Sequence, residues 1–320
     1  MTTPVEGGPK VVSLGGGHGL AATLSALRRV TDRLTGIVTV ADNGGSSGRL
    51  RAELGIMPPG DLRMALAALC GDDDWGRAWA EILQHRFGGD GPLAGHPVGN
   101  LLLAALWDME GDQVAGLDLV AELLRARGRV LPMANVPLDI EADVRNDDDT
   151  VEVVRGQAEV ATTPARIETV RLDPADPPAC PQAVAALESA EWVTVGPGSW
   201  FTSVMPTLLV PELRQALLRT PAKRALVLNL VGQPGESDHL TPGQHLEVLA
   251  EHAPSLHLDV VIADTSAEAD RTDLRRAAEK LGAELVTAPV RSPERPDQHD
   301  PSALARVFAQ TFARTSPAQA

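Results

Sequence analysis

Residues 11–48 of this 320-residue chain read VVSLGGGHGLAATLSALRRVTDRLTGIVTVADNGGSSG, and no other stretch narrows the fold as much. The run at 11–14 is short, apolar and β-branched, the character of a buried parallel strand. Gly15, Gly16, Gly17 and Gly19 follow at once and let the backbone turn tightly. Leu20, Leu24 and Leu27 then recur at helical spacing on one face. A glycine turn that opens a helix aims free N–H groups and the positive end of the helix dipole at a ligand, which favours phosphate. Residues 37–41 read as a second strand, and 42–48 leave its carboxyl end. In a parallel sheet the two turns share one edge, where open α/β folds hold their ligands.

Composition removes several classes. With 43% hydrophobic and 22% charged residues the chain has the balance of a globular protein. A net charge of −15 argues against a broad nucleic-acid surface, which needs a basic stripe, and against anionic lipid. There is no tyrosine and only 3% aromatic content, too little for a base-stacking platform. Cys70 and Cys180 stand alone, without the spacing of a zinc site or a disulfide framework. No apolar run reaches the ~20 residues of a membrane span, and the first residues lack the pattern of a signal peptide, so a cytoplasmic protein is expected.

Further along, PPGDLRMALAALC places Asp61 as the expected N-cap of a helix. A glycine-rich loop at 87–100 leads into LLLAALWDM, with His96 and Asn100 near that helix start. Residues ~130–172 alternate in short β-branched runs and read as a small β-rich insertion on the main sheet, its expected role structural. After the proline-rich 173–181 the α/β alternation returns. The turn Gly196-Pro197-Gly198-Ser199 follows a strand, as the first glycine turn does. Thr241-Pro242-Gly243-Gln244 has the form of a capping box. The expected fold is one α/β domain over 1–320, Rossmann-like, with a mostly parallel sheet, helices on both faces and a disordered tail from about 314.

The motifs exclude as much as they include. Leu20 stands where a dinucleotide fingerprint needs its third glycine, and no Walker lysine follows the turn. An NAD-dependent oxidoreductase is disfavoured on that ground. No serine-hydrolase elbow, no H-E-x-x-H and no metal cage are expected. Asp42, at the end of the second strand, is placed like a ribose-binding acid, and GGSSG behind it offers backbone and hydroxyl donors. Asp42 and Asp61 could hold Mg²⁺ through substrate phosphates, although no cofactor is signalled.

Taken together, GGGHGL, TVADNGGSSGRLR, PPGDLRMALAAL, HRFGGDGPLAGHPVGNLLLAAL, RGRVLP, VGPGSWFTSVMPTLLVPEL and LNLVGQPGES closely resemble the bacterial gluconeogenesis factor family, a branch of the 2-phospho-L-lactate transferase superfamily. The resemblance runs in order over about 11–249. It implies a modified Rossmann-like fold, binding of a UDP-sugar (UDP-N-acetylglucosamine in particular) and a cytoplasmic role in cell shape and envelope growth without a settled catalytic activity. By motif, Gly15, Gly16, Gly17 and His18 would form a phosphate-facing turn. Asp42, Asn43, Gly44, Gly45 and Ser46 would form a second loop, with Asn100 and the turn Gly196, Pro197, Gly198 and Ser199 closing the pocket. Many relatives carry Thr at position 18 and Asp at position 43, where this chain has His18 and Asn43. The alternative is a Mg²⁺-dependent transferase of a phosphate-containing group, with Asp42 and Asp61 as its acids. Nucleic acid and membrane insertion are not expected as partners, and homo-oligomerisation is left open.

Overall fold

The structure, a computed structural model, describes residues 7–233, 236–238 and 240–315. Seven strands form one parallel sheet: β1 (Val11–Gly15), β2 (Leu34–Val38), β3 (Arg129–Pro132), and later β7 (Trp192–Val195), β8 (Lys223–Val227), β9 (Val260–Asp264) and β10 (Glu284–Ala288). Their order is β10-β9-β8-β7-β1-β2-β3. Every residue of β1, β7 and β9 is buried, as in a sheet covered on both faces. The expected fold class is borne out.

Helices α1 (Gly17–Leu27), α2 (Gly45–Leu54), α3 (Gly60–Leu69), α4 (Asp74–Gln84), α5 (Val98–Glu110) and α6 (Gln113–Leu124) follow the first strands. Local chemistry sets their ends. Asp73 accepts from Gly76 N (2.7 Å) at the start of α4, and Asp112 accepts from Val114 N at the start of α6. Gly55, with φ of 67°, ends α2 in the left-handed conformation that glycine takes without a Cβ clash. Leu24, Leu27, Leu62, Leu66 and Leu69, all 0% exposed, bring α1 and α3 together over the sheet. Each such leucine contributes about 1.5–3 kcal/mol of burial.

The inserted lobe begins later than its sequence indicates. Residues 129–132 pair in parallel with β2 and extend the main sheet, because their backbone register continues that edge. The lobe itself is β4 (Asp139–Arg145), β5 (Val151–Arg155), α7 (Gln157–Thr162) and β6 (Arg166–Asp173), an antiparallel sheet in the order β5-β4-β6.

The chain then returns through α8 (Pro181–Glu188), a π-helical turn over Trp200–Val204 that runs into α9 (Met205–Leu209), and α10 (Pro211–Arg219). It closes with α11 (Pro242–His252), α12 (Arg271–Lys280) and α13 (Pro301–Thr315). The capping box of Thr241 and Gln244 forms as expected. Helix α13 continues through 315, past the expected start of the disordered tail; residues 316–320 lie outside the described residues. Among the described residues no helix is long and apolar enough to cross a membrane.

Candidate functional site

Strand β1 lies between β2 and β7, so the chain's order along the sheet reverses beside it. Open α/β sheets hold ligands in the crevice such a reversal creates. Here two glycine turns meet across it, Gly15–Gly17 after β1 and Gly196–Gly198 after β7. They touch backbone to backbone: a Cβ on Gly19 would lie 2.1 Å from the Pro197 carbonyl oxygen. A trench of about 530 Å³ opens beside this contact, bordered by His18, Ala22, Ser25, Met64, Gly198 and Arg295. That volume is within the range of small-ligand sites. His299 also borders it, pushed down to about 4 by burial and therefore a neutral imidazole at pH 7.

Three helix starts line this sheet edge, and the chain treats them differently. At the first, the Gly17 N–H is turned to the Asp61 carboxyl. Asp61 is therefore not the expected N-cap of α3, whose cap residue is Pro59. It reaches back instead, so closely that a Cβ on Gly16 would lie 2.5 Å from Asp61 Oδ2. That oxygen is sealed from solvent with no hydrogen-bond partner. Burial, then the charge of Asp42, push the carboxyl up to about 7, against the smaller opposing pull of the Gly17 N–H and Arg63.

At the second start, Glu236 fills the place a ligand anion would take. Its carboxylate accepts from Ser199 Oγ (2.7 Å), Phe201 N (2.6 Å) and Thr202 N (3.1 Å). Burial raises its pKa, and those three donors oppose the rise. The preceding turn is held by Asn229, which accepts from Gly198 N and donates to Gly198 O, both at 2.8 Å. Ser199 thus faces Glu236.

The third start, α2, has no side-chain cap, which leaves the first-turn N–H groups of Gly45, Ser46 and Ser47 for a ligand. Asp42 accepts from Gly44 N (2.9 Å) just before it, and Ser47 Oγ accepts from Gly60 N (3.0 Å). Gly45 takes a φ of 48°, and a Cβ on Gly48 would lie 1.9 Å from Asn43 O. Contrary to expectation, Gly44-Gly45-Ser46-Ser47-Gly48 fits the G-x-S-x-G spacing, after a strand and opening a helix. Behind it four side chains, each less than a tenth exposed, link up. Arg63 Nε lies 2.9 Å from Asn100 Oδ1, Asn100 Nδ2 3.0 Å from Ser46 Oγ, and Ser46 Oγ 2.7 Å from His96 Nδ1. Asn100 therefore supports the α2 start from behind.

Asn43 looks away from this edge, into the lobe. Its Oδ1 accepts from Ala158 N (2.9 Å) and its Nδ2 donates to Glu159 Oε2 (2.7 Å). Gln157 Nε2 donates to Thr202 O (3.3 Å). Helix α7 is thus fastened to both the second and third helix starts. An aspartate at position 43 would set two carboxylates against each other. Asn43 and Glu159 are a matched pair.

The family model for the 2-phospho-L-lactate transferase CofD matches residues 11–298. The gluconeogenesis factor of Bacillus subtilis (strain 168) is 37% identical over 257 residues, 80% of this chain and 79% of that protein. A Mycobacterium tuberculosis (strain ATCC 25618 / H37Rv) relative, also named as a gluconeogenesis factor, is 55% identical over 310 residues, 95% of this chain and 90% of its own. The chain belongs to the gluconeogenesis factor family. The crystal structure of protein BH3568 from Bacillus halodurans superposes with a TM-score of 0.82 at 31% identity, covering 96% of this chain and 99% of that one. The two chains therefore share the fold.

Sequence reasoning named the glycine turns and Asp42 but missed Glu236, Asn229 and the partnership of His96 with Ser46. The first two lie in the quoted motif LNLVGQPGES, yet nothing local says which turn a distant loop will cap. Among the described residues no group of three His, Cys, Asp or Glu could hold a metal ion. Asp42 lies near enough to Asp61 for its charge to raise the Asp61 pKa.

Proposed function

We propose that this edge binds a UDP-sugar, UDP-N-acetylglucosamine first among them. Through that binding the protein acts as a cytoplasmic regulator joining carbon metabolism to cell shape and envelope growth. The observation that carries the reading is the uncapped start of α2 one strand away from the trench at the β1/β7 reversal. The diphosphate would rest on the N–H groups of Gly45, Ser46 and Ser47, and the nucleoside would lie in the trench. Gln84, Gln233 and Gln298 on its rim offer amide donors and acceptors to the edge of a uracil. The resemblance to gluconeogenesis factors supports the choice of sugar nucleotide. Calorimetric titration with UDP-N-acetylglucosamine is expected to give saturable heat, weakened in the Asp42→Ala variant. No heat and no thermal shift at millimolar ligand would overturn the reading.

A second reading, a transferase of a phosphate-containing group, is favoured by Asp61 Oδ2. A sealed carboxylate oxygen without a donor, beside Asp42, fits a Mg²⁺ that takes few protein carboxylates and completes its shell with water and phosphate. Asp42 and Asp61 would hold the ion, which would neutralise charge on the transferring group. Chelation of divalent ions is then expected to weaken nucleotide binding at least tenfold. Mg²⁺-dependent release of product from a nucleotide donor would promote this reading over the first; affinity unchanged by chelation would count against it.

A further inference from the structure

We propose that Ser46 is a nucleophile, with His96 as the base that takes its proton and the first turn of α2 as the cradle for the oxyanion of a phosphoryl or acyl ester. The inference does not rest on which nucleotide the trench holds. It starts from direction. A guanidinium can only donate, so Arg63 Nε donates to Asn100 Oδ1. That turns the Asn100 amide nitrogen to Ser46, whose Oγ accepts. The Ser46 O–H can then donate to His96 Nδ1 at 2.7 Å, which is the direction the proposed chemistry needs. In that arrangement His96 is neutral with its own proton on Nε2, the state a general base must start from. One lone pair of Ser46 Oγ takes the Asn100 donor, and the other would make the attack.

The surroundings hold this geometry. Arg49 donates to Pro92 O and Ala94 O, both at 2.9 Å, and Arg86 donates to Gly95 O at 2.7 Å, which fixes the loop carrying His96. Burial, then Arg49 and Arg86, press the His96 pKa down while Glu53 presses it up, so the ring stays uncharged at neutral pH. The glycine spacing around Ser46 brings the backbone close, since Gly48 has no room for a Cβ. The positive φ of this elbow falls on Gly45 and not on the serine, leaving Ser46 in the first helical turn beside its N–H donors.

The step balances. Ser46 Oγ attacks phosphorus or carbonyl carbon, the new Oγ bond forms, and the proton passes to His96 Nδ1. The oxyanion gathers on the N–H groups of the first turn, the bond to the leaving oxygen breaks, and the imidazolium returns its proton to that oxygen. Water activated by the same His96 nitrogen then cleaves the serine ester and restores both groups. Arg63 and Asn100 are positioning residues.

A fluorophosphonate probe carries no nucleotide and tests this on the native full chain. The probe's P–F bond breaks as Ser46 Oγ bonds to phosphorus. Mass spectrometry of digested wild-type protein is expected to find one adduct, on Ser46, with no variant needed to map it. His96→Gln should slow labelling about 100-fold, and the wild-type rate should rise with pH to a midpoint below 6.5. Asn100→Asp keeps an acceptor for Arg63, loses the donor to Ser46 and adds a charge. It should slow labelling and move that midpoint up, which loss of packing alone would not do. Turnover of p-nitrophenyl acetate assigns the acyl arm and of p-nitrophenyl phosphate the phosphoryl arm. Folded protein left unlabelled, an adduct at another residue, or His96→Gln labelled at the wild-type rate overturns the proposal.

Discussion

Helices α1 and α2 both begin from glycine-rich turns on one sheet edge, yet they end in opposite electrostatic states. Neither helix is capped by its own N-cap side chain. The Gly17 N–H of α1 faces Asp61, a carboxyl from the same chain, but among the described residues no such carboxyl meets the first-turn N–H groups of α2. The turn at 196–199 sides with α1, because Glu236 supplies the anion there. A glycine turn before a helix therefore marks a place where an anion fits, and the anion can be the protein's own. The turn with its donors spare is the one to which a ligand phosphate would go.

Backbone space gives the sharpest way to break this contrast. Gly48→Ala sets a Cβ against Asn43 O and displaces the first turn of α2. It is expected to cost about 3 kcal/mol or more in urea unfolding and to lower UDP-sugar affinity by at least 100-fold. A variant as stable and as tight as the parent would show that the start of α2 is not where the ligand rests.

Next in size is Asp61→Asn. The folded carboxyl titrates at about 7, above its usual 3.8, so its ionisation opposes folding. Its contribution to stability is present below about pH 4 and is lost as pH rises through 7. With the carboxyl at about 7 rather than 3.8, wild-type protein should lose roughly 2–4 kcal/mol over that window relative to Asp61→Asn. Thermal melts at pH 5 and pH 8 read the difference, and parallel curves for the two proteins would deny the charge at the first turn.

Asn43→Asp tests the link between the two kinds of start. The new carboxylate meets Glu159 and is expected to cost about 1–2 kcal/mol. Hydrogen exchange should quicken in 151–173, and Glu159→Gln should restore it. The smallest effect on binding belongs to Glu236→Gln, which keeps the fill of the second start. It should lower stability by about 1 kcal/mol and change ligand affinity by less than threefold. A large loss of affinity would move the ligand to that turn.

The sheet was legible because its strands are short, buried and β-branched, and because the glycine turns punctuate them. Strand β3 was not, since 129–132 looks the same whether it pairs with β2 or with the strands of the lobe; only register over sequence distance decides. The candidate site reads from sequence as a set of turns, Asp42 and Ser46 among them. What fills each turn was hidden, because Asp61 lies 44 residues from Gly17 and Glu236 37 from Ser199, and tertiary packing brings them there. The same holds for Asn43, whose partners in α7 are 115 and 116 residues away.

The most direct test is a backbone amide titration by TROSY NMR with UDP-N-acetylglucosamine. The amide protons of Gly45, Ser46 and Ser47 should move downfield together as they take up a phosphate, while those of Gly17, Phe201 and Thr202, already engaged with Asp61 and Glu236, should move little. Large shifts at Gly17, Phe201 or Thr202 with 45–47 unmoved would contradict the assignment of the open start.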